Sequence, residues 1–170
     1  VDMIPTVPEE NKVKIYDKFK NNLKENYKID GNIEPMEGSF ELFKFLRDRD
    51  IKVCLNTGFD KEMAKFVIDK VNFGPHIDGF ISSSEVSAGR PQPFMIKKLM
   101  ERHRILTSAN VVKVGDTTLD ILEGKNSGTF CQFAVLTGEE SKESLLKSKP
   151  SHVFDDLKSI HKYLEDIGDF

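Results

Sequence analysis

A chain of 170 residues is long enough to bury a proper core and reads as one domain with a small appendage. Charged residues make up 31% of it and the formal net charge is -3, which excludes the basic excess of a nucleic-acid binder. No apolar run approaches the roughly 18 residues of a membrane span and no signal peptide is expected, so neither nucleic acid nor membrane is an expected partner and the cytoplasm is the default compartment.

Residues 8–28 carry Val13, Tyr16, Phe19, Leu23 and Tyr27 at spacings of three and four, the apolar stripe of an amphipathic helix. Pro8 suits its first turn, and Glu9 and Glu10 suit its positive end. A turn follows at 28–35, and Ser39 is the expected cap of a helix that ends near Asp48. Residues 51–56 read as a short buried strand, and 60–72 as a helix capped by Asp60. The alternation continues with a strand at 78–83, a helix at 91–104 opening on proline, a strand at 110–115 and a helix at 118–127. A strand at 130–136, a helix at 140–147, a strand at 152–154 and a helix at 156–166 complete it. Strands separated by helix-length connections imply a parallel α/β sheet with helices on both faces. Cys54 and Cys131 each lie in an apolar run and read as two reduced core cysteines. The four histidines show no metal-ligand spacing. Composition shifts near residue 30, so 1–30 is expected to be a piece distinct from the α/β body at 31–170.

In open α/β sheets the chemistry gathers outside the carboxyl ends of the strands. The strand at 51–56 runs into Asn56, Thr57 and Gly58, whose amide, hydroxyl and open backbone can donate to phosphate oxygens. The same tripeptide is also ordinary turn chemistry. Arg90 lies between a glycine and a proline, beside a helix start, where a guanidinium can bind a phosphoryl group in two-pronged fashion. A solvated surface arginine is the plainer reading. The stretch VVKVGDTTLDILEGKNSG (111–128) sets Asp116 at a strand tip and Asp120 one helical turn later. Two carboxylates aimed at one point repel, and a hard cation such as Mg²⁺ neutralises them. The plainer alternative makes Asp116 a helix cap and Asp120 an exposed residue.

Three stretches taken together, IKVCLNTGFDKEM (51–63), EVSAGRPQPFMI (85–96) and VGDTTLDILEGKNSG (114–128), resemble the haloacid dehalogenase-like hydrolases. The resemblance is to the phosphonatase-like branch, relatives of phosphonoacetaldehyde hydrolase, and covers about residues 8–155. It implies a three-layer Rossmann-like sheet of order 3-2-1-4-5, with residues 1–30 as the last helix of an α-helical cap. It also implies a Mg²⁺-dependent phosphohydrolase working through an aspartyl-phosphate. Thr57 and the backbone near Gly58 would hold phosphoryl oxygens. Arg90 would stabilise the nucleophile and the transferring charge, Asp116 would bind the metal directly, and Asp120 would bind it directly or through water. The substrate would be a small phosphate monoester or phosphonate.

The family's nucleophile stands at the tip of the first, central strand. The nearest text here is VDMIPT, where Asp2, Met3 and Thr6 keep the register but Ile4 and Pro5 replace a small residue and a glycine. This match is read as coincidence. The expectation is therefore an inactive fragment lacking on the order of 60 residues, judged from element lengths. An amino-terminal segment or a second copy of the chain would complete the sheet. Lys12, Lys14, Lys18 and Lys20 read as a charged helix face and not as the imine-forming lysine of true phosphonatases. A remnant that binds phosphorylated ligands or a partner without turnover is the alternative. A receiver-type domain fits less well, because Leu136 and Thr137 occupy the late strand tip where it needs a lysine.

Overall fold

The computed structural model describes residues 33–168 and, before them, helical positions 11, 14, 15, 17, 18, 21, 22 and 25. The chain divides into two compact units, Val1–Glu34 and Pro35–Phe170. In the first, the eight described positions, Lys14 and Lys18 among them, are exposed. The apolar stripe, Pro8, Glu9, Glu10, Lys12, Lys20 and the Asp2–Thr6 stretch lie outside the described residues.

The second unit alternates helix and strand: α1 (Ser39–Arg47), β1 (Cys54–Thr57), α2 (Lys61–Lys70), β2 (Gly79–Ser82), α3 (Phe94–His103) and β3 (Val112–Gly115). It continues with α4 (Thr118–Ser127), β4 (Cys131–Val135), α5 (Lys142–Lys147), β5 (His152–Phe154) and α6 (Leu157–Ile167). Every strand pairing is parallel, β1 with β2, β3 with β4 and β4 with β5. The pairings form one sheet of two strands and one of three, and among the described residues no backbone ladder joins β1 to β3. This mixed α/β architecture of parallel strands and helices is the one that the alternation predicts.

Strand β4 supplies the centre of the core. Phe133 and Val135 point to one face, where they pack with Leu42 of α1 and Ile160 of α6. Ala134 points to the other, against Ile121 of α4 and Leu145 of α5. Ile121, Leu145 and Ile160 are 1% exposed or less. Burying each such side chain stabilises the fold by about 1.5–3 kcal/mol.

Several boundaries differ from the sequence reading for local reasons. Helix α1 is preceded by Gly38 at φ 82°, and Ser39 is its first residue, with its hydroxyl donating back to Met36 O. Strand β1 starts at Cys54 and not at residue 51, because Asp78 takes over the backbone before it. Val53 N–H donates to Asp78 Oδ2 at 2.9 Å, and Asp78 N–H donates to Val53 O at 2.7 Å. Helix α3 begins at Phe94, three residues after Pro91, so Arg90 lies in the approach loop and not at the helix start. Cys54 and Cys131 are free thiols, and burial with the charge of Asp78 pushes the Cys54 thiol up to about 11.

Asp78 also pairs with Lys52 at 3.2 Å and with Arg47 at 3.7 Å. Burial alone would raise its carboxyl, but the Val53 amide, Lys52 and Arg47 hold it below the usual value. A carboxyl lowered by folding stabilises above its unfolded pKa, about 3.9, and loses that contribution as pH falls through the lowered value. The melting temperature is therefore expected to drop in acid, and Asp78→Asn should lower it at neutral pH while making the acid drop smaller. Melting curves at neutral and acid pH check this, and an equal acid drop in both proteins would contradict it.

Candidate active site

Residues at the carboxyl ends of β1, β2 and β3 come together through side-chain bonds. Thr57 is the last residue of β1, and its hydroxyl oxygen accepts from Phe59 N–H at 3.1 Å. The Gly58–Phe59 turn is pinned from the tip of β2, where Ser83 donates to Gly58 O at 2.9 Å and Ser82 donates to Phe59 O. The pattern of the sequence did not single out these serines. A run of hydroxyl residues just past a strand was the available signal.

Arg90 is placed by the loop between β2 and α3, and Asn126 of α4 donates to Pro91 O at 2.8 Å to hold that loop. The Arg90–Pro91 peptide is cis. The guanidinium is divided between two halves of the site. Its Nη1 donates to Asp120 Oδ1 at 2.5 Å, and its Nη2 lies 3.5 Å from where a Cβ on Gly58 would sit. The plainer reading of a solvated surface arginine does not describe this residue, whose side chain is 23% exposed.

The two aspartates have different surroundings. Thr117, not Asp116, caps α4, its hydroxyl accepting from Asp120 N–H. Asp120 is 2% exposed, and both its oxygens are engaged. Oδ1 faces Arg90 and Lys113, the latter at 2.8 Å, and Oδ2 accepts from the Thr117 hydroxyl at 2.6 Å. Burial pushes the Asp120 carboxyl up, but the charge and hydrogen bond of Lys113, the Thr117 hydroxyl and Arg90 hold it below the usual range. Asp116 is half-buried and has no hydrogen bond or ion pair among the described residues. The cap-and-exposed-residue alternative for this pair is thus corrected at both positions.

Glycines make room for both carboxylates. A Cβ on Gly115 would lie 2.2 Å from Asp120 Cβ, and one on Gly138 would lie 2.1 Å from Asp116 Oδ2. Gly115→Ala is expected to push α4 off the strand tip and cost about 3 kcal/mol, the upper end for overpacking. Urea unfolding measures it, and unchanged stability would contradict so close an approach.

Among the described residues, no group of three or more His, Cys, Asp or Glu gathers as a self-sufficient metal site. A free, half-buried carboxylate against bare backbone at Gly138 nevertheless fits a hard cation of the Mg²⁺ type. Such ions take one or two carboxylates and fill the rest of their shell with water and substrate oxygens. Asp116 is the residue that fits this role. Asp120, already neutralised by two cations, fits that of counter-ion to Arg90.

Asn56, expected among the donors to phosphate oxygens, is held by side chains of β3 and α4. Its amide is used up inside the protein: Nδ2 donates to Glu123 Oε2 at 2.7 Å, and Oδ1 accepts from Lys113 Nζ at 2.6 Å. Lys113 also lies 3.2 Å from Glu123. Glu123 is 0% exposed, and its Oε1 has no partner among the described residues, an arrangement that costs about 1–3 kcal/mol.

A family model described as haloacid dehalogenase-like hydrolase matches residues 3–128. A phosphonoacetaldehyde hydrolase of Parabacteroides distasonis is 34% identical over 128 residues, covering 73% of this chain and 48% of that protein. One of Bacillus cereus is 34% identical over 107 residues, covering 62% of this chain and 40% of that protein. The chain thus spans about half, or less, of the length of the curated relatives it matches. Among solved structures, a phosphonoacetaldehyde hydrolase-like protein from Oleispira antarctica superposes with a TM-score of 0.77 at 22% identity, over 95% of this chain and 66% of that one. A hydrolase from Pseudomonas syringae reaches a TM-score of 0.84 at 17% identity, over 95% and 72%. Both structural likenesses concern the fold alone. By the family match and the shared identity, the chain belongs to the haloacid dehalogenase-like hydrolases.

Proposed function

We propose that the whole protein is a Mg²⁺-dependent phosphohydrolase acting on a small phosphate monoester or phosphonate through an aspartyl-phosphate. The observation that carries this reading is Arg90, stretched between Asp120 and the Thr57–Gly58 turn, together with an Asp116 that no described residue engages. Thr57 and the backbone at Gly58 hold phosphoryl oxygens. Arg90 binds the same group through the guanidinium edge that Asp120 leaves free, and stabilises the charge that builds up during transfer. Asp116 is the protein ligand of Mg²⁺, which when bound offsets the negative charge that repels an attacking carboxylate. Asp120 acts indirectly, as the group that aims Arg90.

The attacking carboxylate is assigned to none of the described residues. Asp120 is fully engaged, and Asp116 is given to the metal. That observation favours a second reading for the chain by itself, namely binding of phosphorylated ligands without turnover. The unladdered edges of β1 and β3 are assigned to a further strand, from residues outside the described set or from a second copy. The amino-terminal helix is assigned to a cap that governs substrate choice. Two free cysteines support a reducing compartment such as the cytoplasm.

The test is release of orthophosphate from p-nitrophenyl phosphate and from phosphonoacetaldehyde, with Mg²⁺ or with a chelator. Metal-dependent release from the ester alone assigns P–O cleavage, and release from phosphonoacetaldehyde assigns C–P cleavage. Orthophosphate binding without release from either compound selects the non-catalytic reading.

A further inference from the structure

Three buried or half-buried polar residues outside the proposed phosphoryl contacts form one connected group. Asn56 comes from β1, Lys113 from β3 and Glu123 from α4. They connect two sheets that share no backbone ladder among the described residues. Each end of the Asn56 amide meets a charged partner of the matching kind, an ammonium donor at Oδ1 and a carboxylate acceptor at Nδ2. The partners are 57 and 67 residues away in sequence, so no local turn accounts for the arrangement. Lys113 reaches on to Asp120, which holds Arg90. Thr57 directly follows Asn56, so anchoring Asn56 anchors the hydroxyl next to it.

We infer that Asn56, Lys113 and Glu123 are positioning residues, a polar clasp that sets the β1 half of the site against the β3–α4 half, and that Asn56 is not a phosphoryl ligand. The inference rests on the proposed function for what is positioned, and on the geometry alone for the clasp. A carboxylate at position 56 with an amide at 123 would reverse the bond between these two side chains, with the charge count unchanged. Lys113 would still donate to position 56 and the amide at 123 would donate to the carboxylate at 56, but Lys113 would lose its 3.2 Å pairing with Glu123 Oε2.

The test is a cycle of Asn56→Asp, Glu123→Gln and the double variant, read by melting temperature and by calorimetric binding of inorganic orthophosphate in magnesium chloride. Asn56→Asp alone sets two carboxylates against each other and should lower both melting temperature and affinity, the latter by about tenfold. The double variant should regain most of the melting temperature lost in Asn56→Asp and bind within about threefold of the unsubstituted chain. A double variant that folds normally but stays as weak as Asn56→Asp makes Asn56 a ligand and overturns the inference. One that regains neither property, or does not fold, overturns the clasp itself. If the unsubstituted chain binds no orthophosphate, the phosphohydrolase reading falls and the positioning role falls with it. The melting temperatures then still decide the clasp, and the absence of coupling between positions 56 and 123 would overturn it.

Discussion

Asp116→Asn is expected to abolish Mg²⁺-dependent turnover by the whole protein, a loss of about a thousandfold or more. The substitution keeps the shape of the side chain and removes its charge. Asp116 is half-buried and makes no hydrogen bond or ion pair among the described residues, so the fold has nothing to lose by it. The melting temperature should stay level or rise slightly while activity disappears. That separation distinguishes a metal ligand from a structural acid such as Asp78, whose loss weakens the start of β1. Activity is measured against Mg²⁺ concentration in both proteins. Near-normal turnover in the variant would remove the metal assignment.

Arg90→Ala should cost both rate and stability. The rate should fall by about two to three orders of magnitude, the usual effect of losing a donor aimed at developing charge. Stability should fall by about 1.5–3 kcal/mol, the worth of a hydrogen bond to a charged group, because Asp120 keeps Lys113 and Thr117 as partners. Arg90→Lys should recover the pairing with Asp120 and part of the rate. One ammonium cannot reach Asp120 and the Gly58 turn together as a guanidinium fork does. The three proteins are compared by kcat and by urea unfolding. An unchanged rate in Arg90→Ala would return this residue to an ordinary loop arginine.

The architecture was legible because it is written in periodicity. Alternating apolar runs and amphipathic stretches marked the five strands and six helices of the second unit, and helix α4 appears at 118–127 as expected. The boundaries that moved did so under contacts distant in sequence. Residues 51–53 read as strand, but the Asp78 carboxylate captures the Val53 amide and delays β1. Ser39 read as a cap, but Gly38, with its positive φ, is the residue that turns the chain into α1.

The candidate site was legible where residues stand at strand tips and hidden where they do not. Thr57, Arg90, Asp116 and Asp120 stood out because hydroxyls, arginines and acids next to glycine are conspicuous at the ends of apolar runs. Lys113 was concealed inside the apolar run of VVKVG. In the structure Lys113 is buried, while Val112 and Val114 are exposed at 45% and 37%. Glu123 was not singled out in the sequence. Its spacing of three from Asp120, which sets both on one helix face, was the signal available. The contacts of Asn56 were hidden for the same reason, since its two partners sit in β3 and α4.

Calorimetric titration of this chain with inorganic orthophosphate, with and without Mg²⁺ and alongside Asp116→Asn, tests the proposed site most directly. Binding that tightens with Mg²⁺ and loses that dependence in Asp116→Asn is the expected result. No binding in either condition, or binding indifferent to both Mg²⁺ and Asp116, would contradict it.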